Sequence, residues 1–501
     1  MTVTATSVTD NTKSASATIT ITAAATSVLA DGNYVYRLNG QNGNGPYFVA
    51  GVFTVLKGAV AGGEQDEIDF VQGSENSIVP AGSSLTAASN GNFQLVLATG
   101  NSSIGVNGVE TFRGTLVSNT HAQISEFDTS AAASGTLDLQ TSTSAPSGGY
   151  AFNLGGVDGS ANGNPLFIGG VIDISGTSLS VANSIFDYFD GGAVGQGQTF
   201  ASGTVTAPDS FGRITISLTP SQASGAVEFS VIGYIVGFAR IQFVESVNDT
   251  LGGTLGGTAL GQGPNSGSFS TAGVGGGTYV FIAAGEDATN GTATFAGAFV
   301  LNSNGTVSGT LAYNDRASDQ GLTISGGSWT VDSLGRVALS NVSVSGSNIG
   351  NGPFAFQLYL DGNGNALELG CDTIQGSAGP SYAQTAIQQV SAGKYAIGAQ
   401  GFAGTPQLPV WAAVGPVTLD SFLNWTGFTD YNVFGGTPTA SVTLAGTTDT
   451  TTGLFSISGL NAVTPQPATP EFGYYQIDNS RVLAIELDNN QLGLFILEAT
   501  N

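Results

Sequence analysis

Four glutamates, Glu126, Glu245, Glu368 and Glu486, recur late in four successive stretches of the chain, and each follows an aspartate, Asp69, Asp187, Asp315 or Asp430, by 53 to 58 positions. A carboxylate pair repeated at one place can hold a cation or move a proton. Hydrolysis of a glycosidic bond would also require the two groups to stand about 5 to 10 Å apart. The plainer alternative is a pair of outward-facing strand residues, or a glutamate that satisfies a turn. The eight carboxylates are the candidate binding residues, and no metal is defined by them.

Other chemistry-bearing residues are sparse. His121 is the only histidine. It stands five positions before Glu126, where the other stretches are expected to have Arg240, Asn363 and Arg481, so it reads as the polar, solvated start of a strand. A Ser-His-Asp hydrolase needs a base held by a second group, and nothing in the sequence supplies one. No enzyme is expected, and no cofactor. The single cysteine, Cys371, excludes an intrachain disulfide and reads as a small buried hydrophobe. Asp361-Gly362-Asn363-Gly364-Asn365 opens like a calcium loop. Ala366 stands where that loop needs glycine, and Asp372 where it has a bidentate glutamate, so a hairpin turn is expected. Trp329, Trp411 and Trp425, with many Tyr and Phe, suit either a sugar-binding platform or core packing, and their alternating surroundings favour the core. Asn-x-Ser/Thr triplets at Asn101, Asn248, Asn290, Asn304, Asn341 and Asn424 are no more than so Asn- and Thr-rich a chain holds by chance.

These residues sit on a repeat. Its opening strand reads Gly32-Asn33-Tyr34-Val35-Tyr36, Gly148-Gly149-Tyr150-Ala151-Phe152, Gly277-Thr278-Tyr279-Val280-Phe281 and Gly393-Lys394-Tyr395-Ala396-Ile397. Side chains two apart share one face of a strand, so the four tyrosines are expected to be equivalent core residues. A second landmark reads Gly51-Val52-Phe53, Gly170-Val171-Ile172, Gly297-Ala298-Phe299 and, in degenerate form, Ala413-Val414-Gly415. A third is a hairpin turn at Gly91, Gly212, Gly335 and Gly453, where glycine supplies positive φ. Each unit holds about eight short alternating runs, which suits an antiparallel barrel or a sandwich. Closure removes exposed edges and favours the barrel. The chain thus divides into an N-terminal β segment (1–28) and four all-β units at 29–145, 146–271, 272–388 and 389–501. Linkers rich in Ser, Gly, Pro and Ala are expected at Thr141 to Gly148, Gly261 to Gly276 and Gly376 to Ala392, the last around a short helix near Ala383 to Gln389. The units should behave as beads, free to reorient unless their interfaces are apolar.

Composition narrows the function. The chain of 501 residues is 41% hydrophobic, enough for real cores, yet only 9% charged, against a usual quarter or so. Ten Lys and Arg, scattered, give no phosphate-binding surface, so nucleic acid and anionic membranes are poor partners. The longest apolar run, Phe229 to Ala239, is too short for a membrane helix. No export signal opens the chain, so one would lie outside this fragment.

Thr2-Val3-Thr4-Ala5-Thr6-Ser7-Val8, a turn near Asp10-Asn11, and the run Ser14 to Thr22 read as two strands. They resemble the last two strands of a bacterial immunoglobulin-like domain. The repeats resemble secreted and surface repeat proteins of acidobacteria-like environmental bacteria, a likeness that brings no activity and no functional residue with it. The expectation is an extracellular or cell-surface protein with a structural or adhesive role. Its partners would be copies of itself, through strand pairing into a filament, or other surface components, with carbohydrate as a further possibility. Tandem barrels that each enclose a small ligand are the alternative, and a carboxylate-dependent hydrolase comes third.

Overall fold

The computed structural model describes residues 28–500 except 89–90, 222–228, 250–252, 289–290, 348–351, 386–389, 404–408, 450–453, 461–469 and 490. Ahead of residue 28 it describes the backbone of Thr2–Thr6 and Ser14–Thr18 and the turn residues Thr9, Asp10 and Thr12. Those two segments pair as an antiparallel hairpin, from Thr2 opposite Thr18 to Thr6 opposite Ser14.

Four closed antiparallel barrels of eight strands follow. The first strands are Gly32–Asn42, Gly148–Val157, Thr278–Asp287 and Gly393–Ala403. The eighth are Ala131–Leu139, Thr254–Gly261, Gln375–Ala383 and Gln491–Ala499. Closure comes from their pairing, with Tyr34 opposite Leu139, Tyr150 opposite Gly261, Tyr279 opposite Ala383 and Tyr395 opposite Ala499. This decides barrel over sandwich. In the second barrel the short strand Ser178–Leu179 completes the ring.

Alternation fills each interior with one hydrophobic cluster. Tyr34, Tyr150 and Tyr395 are buried in three of them, while Tyr279 is partly buried against the third. Residues of the opposite parity are apolar too, because they face a neighbouring barrel. Three shared clusters form between walls: Val35, Phe48 and Val52 with Ile232 and Val244; Phe167, Val171 and Phe189 with Leu367 and Leu369; Val280, Ile282 and Ala296 with Leu483 and Ile485. Burial on both faces also accounts for the apolar run from Phe229: Phe229, Val231 and Ile235 fill the second barrel, and Ile232 and Tyr234 face the first. The barrels are therefore not loose beads.

The joints follow one rule. The sixth strands are Val109–Ser118, Phe229–Gly237, Phe354–Leu360 and Glu471–Gln476, and the seventh are His121–Glu126, Arg240–Glu245, Asn365–Cys371 and Arg481–Glu486. The second strands are Gly45–Leu56, Pro165–Ser175, Gly291–Leu301 and Val410–Leu419, and the third are Ala59–Asp69, Ile185–Asp190, Val307–Asn314 and Asn424–Val433. Strands six to eight of each barrel lie on the first strands of the barrel before it, and those of the first barrel lie on the fourth. A head-to-tail contact that closes after four steps is a cyclic ring, here within one chain.

Several sequence expectations shift. The third linker is shorter than Gly376 to Ala392, because the strand Gln375–Ala383 takes its first part. The expected helix falls mostly on 386–389, outside the described residues, and a four-residue helix lies instead at Thr271–Val274. Tyr34 faces Phe53 and Tyr395 faces Val417, so the fourth copy of the second landmark is Gly415-Pro416-Val417 rather than Ala413-Val414-Gly415.

Candidate functional site

The eight candidate carboxylates do not form four equivalent pairs. Asp187 pairs with Gly169 and Asp430 with Val414, each just before a landmark glycine; Asp66 and Ala312 hold that place in the other barrels, opposite Ala50 and Ala296. Asp69 and Asp315 lie three positions further on and face the inside. There they accept backbone N–H groups of the following turns, from Val71 and Gln72 and from Ala317. Among the glutamates, Glu126, Glu245 and Glu486 are buried at one inner position. In the third barrel Asn365 pairs with Tyr382, as Arg240 pairs with Leu260 and Arg481 with Glu498, so Gly370 holds that position and Glu368 lies two residues earlier. In the second and fourth barrels Asp and Glu therefore stand on opposite sides of the wall.

The outward aspartates lock joints. Asp66 accepts Arg213 Nε at 2.7 Å and Nη2 at 2.8 Å, and the Tyr234 hydroxyl at 2.6 Å. Asp187 repeats this with Arg336 (2.7 and 2.5 Å) and Tyr359 (2.6 Å). A two-pronged guanidinium–carboxylate pair is among the strongest polar contacts. Leu454 stands where those arginines do, so the joint between barrels three and four uses another device. Asn314 donates to the carbonyls of Glu486, Asp488 and Gln491. Its counterpart Asn432 donates to those of Glu126, Asp128 and Ala131 between barrels four and one, where Asn92 also donates to Asp430 at 2.9 Å.

Linker glutamines add a clamp the sequence reading missed. Gln140 donates to the carbonyls of Phe211 and Ile235, Gln262 to those of Leu334 and Leu360, and Gln384 to that of Gln476. Their even spacing of 122 residues was the available signal.

His121 is not a solvated strand end. Its ring nitrogens lie 2.7 Å from Asp138 and 2.9 Å from Glu498 of the fourth barrel. Arg240 of the second barrel reaches Asp138 at 3.4 Å, and Arg481 of the fourth stacks on Tyr382 of the third at 4.9 Å. One polar network thus joins all four barrels. Burial pulls the His121 pKa down, but its two carboxylate partners outweigh that and hold it up at about 10.

The mouth of the first barrel is different again. A cavity of about 140 Å³ opens there, lined by Asn44, Tyr47, Glu67, Asp69, Ser103 and Ala131 among others. Within this barrel the Tyr36 hydroxyl donates to Gln65 (2.5 Å), and Gln65 (2.6 Å) and Tyr47 (3.1 Å) donate to Glu110. Glu67 is 6% exposed, and its Oε2 has no hydrogen-bond partner among the described residues. Burial first, then the charges of Glu110 and Asp69, push Glu67 up to about 9; burial also pushes Glu110 to about 7. Among the described residues no three His, Cys, Asp or Glu side chains are grouped so as to hold a metal.

The remaining candidates resolve simply. Asp361 accepts the backbone N–H of Asn363 and Asn365 and the Asn365 side chain, a hairpin turn. Trp329, Trp411 and Trp425 are core residues, and Cys371 is buried in the apolar joint between barrels two and three. No helix among the described residues is long and apolar enough to cross a membrane.

No protein-family model matches the chain, and no curated protein matches it significantly. Among solved structures, a double mutant of transferrin binding protein B from Haemophilus parasuis is similar at 10% identity, covering 96% of this chain and 97% of that one, with a TM-score of 0.22. Transferrin binding protein B from Neisseria meningitidis is similar at 11% identity over 74% of this chain and 80% of its own (TM-score 0.18). A protein of unknown function from Nostoc punctiforme is similar at 11% identity over 45% of this chain and 96% of its own (TM-score 0.16). At such TM-scores these similarities carry no argument about what this chain does.

Proposed function

We propose that the chain is an extracellular or cell-surface protein with a structural or adhesive role, and that it acts as one rigid four-barrel body rather than as an enzyme. The observation that carries this reading is that each barrel interior is filled by its own hydrophobic cluster while the walls are locked to one another. The working surface is then the outside of the ring. That outside is poor in Lys and Arg, which suits surface components better than nucleic acid. The N-terminal hairpin has two strands, too few to be stable alone. Its outer backbone edges, unpaired among the described residues, suit strand addition to another copy, head to tail, into a filament. Light scattering and electron microscopy on the full chain and on a chain lacking residues 1–27 test this. Assembly of the full chain, lost on deletion, is expected. Unchanged assembly would remove the strand-addition route, and a monomer in both would remove the filament. Ligand binding inside a barrel, the second reading, has support at one place, the first barrel's mouth.

A further inference from the structure

The four barrels serve as internal controls for one another. The residue after the outward position of the third strand is Tyr188, Tyr313 and Tyr431 in barrels two to four, and Glu67 in the first. On the sixth strand or just ahead of it, two positions before the residue paired with the seventh strand's inner end, the later barrels have Phe229, Phe354 and Pro470, and the first has Glu110. Three barrels close this end with aromatic and apolar groups. The first opens it and places Glu67 and Glu110 there, whereas the buried Glu126 is no distinction, since Glu245 and Glu486 hold its place in barrels two and four.

We propose that the mouth of the first barrel binds a small organic ammonium compound, a short alkyl amine or diamine. Glu67 lines the cavity with an unpartnered, buried oxygen. No Lys or Arg is among the cavity's lining residues, and among the described residues none pairs with Glu67. A bare metal ion is a poor fit, because among the described residues no three carboxylates are grouped closely enough to hold one, and the cavity is far larger than the 10–15 Å³ or so that one water needs. An ammonium group brings three N–H donors for Glu67 and its neighbours, and its alkyl stem would lie against Tyr47 and Ala131. Binding must ionise a carboxyl that burial holds protonated, so protons leave as the amine enters and affinity falls with falling pH.

Calorimetry with putrescine, the matching butanediol and calcium chloride tests this on the whole chain, in two buffers of different ionisation enthalpy. One-to-one binding of putrescine with proton release is expected, and none of the diol. Glu67→Gln should weaken it by about tenfold or more, the worth of one charge-assisted hydrogen bond. Glu67→Tyr, which copies the other barrels, should abolish it, with thermal melts checking that both variants fold. If Glu67→Tyr fails to fold, Glu67→Gln decides. Equal binding of diol and diamine, undiminished binding by Glu67→Gln, or saturation by calcium in place of the diamine would each overturn the proposal.

Discussion

A carboxylate on the outer wall of a barrel is ordinarily solvated, yet Asp187 is fully buried. It survives there because Arg336 and Tyr359 arrive from the next barrel and satisfy both its oxygens. The worth of such a pair lies mainly in what happens when half of it goes. Asp187→Asn keeps the shape and leaves a largely buried guanidinium without its counter-charge. We expect a loss of about 3 to 5 kcal/mol, and about 1.5 to 3 kcal/mol for Tyr359→Phe, which removes a hydrogen bond to a charged group. Urea unfolding of the single and double variants measures both. Strictly additive losses would show that the two groups do not act together.

At the scale of elements, the hairpin glycines and the linker glutamines explain each other. Gly212 (φ 83°) and Gly335 (φ 92°) take the positive φ that the turn requires. A Cβ on Gly212 would lie 2.9 Å from the Gln140 amide nitrogen, and one on Gly335 would lie 3.0 Å from that of Gln262. The turn is bare, so the preceding linker can reach across it and bond the next barrel. Gln262→Ala would leave the Leu334 and Leu360 carbonyls without their side-chain donor, at a cost of about 1 to 3 kcal/mol. Because Gly335→Ala obstructs the same amide, the two substitutions should couple by about 0.5 to 3 kcal/mol in a double-mutant cycle. Independent effects would sink this account of the linker.

For the whole molecule the joints are unequal. Three share an apolar cluster. The joint between barrels four and one is made, among the described residues, chiefly of polar pairs and small side chains, with Asn92, Asp430, Asn432 and His121 prominent. A ring yields at its weakest joint. Asn432→Leu should therefore open the ring there and raise the radius of gyration in X-ray scattering, with the barrels still folded by circular dichroism. Asn314→Leu, in the joint that also has an apolar cluster, should leave the radius unchanged. Equal expansion in both variants would refute this ranking.

The repeat, the all-β class and three of the four core tyrosines, with Tyr279 only partly buried, were legible because period-two alternation and glycine-marked turns are local, and four copies reinforce one another. The separation of Asp187 from Glu245 was not legible, because a shift of one residue in register moves a side chain to the other face of a strand. Nor was Gly370 as the counterpart of Glu126, since both glutamates of that comparison face inward and only the strand pairing tells them apart. His121 looked like an exposed strand start because its partners, Asp138 and Glu498, lie 17 and 377 residues away along the chain. What the sequence determined by itself was four copies of an alternating antiparallel β unit, whose contacts are largely between neighbouring strands; closure of each unit into a barrel was decided by the pairing of its first and last strands. Only the tertiary structure decided the ring, because outward side chains acquire their meaning from the wall they meet.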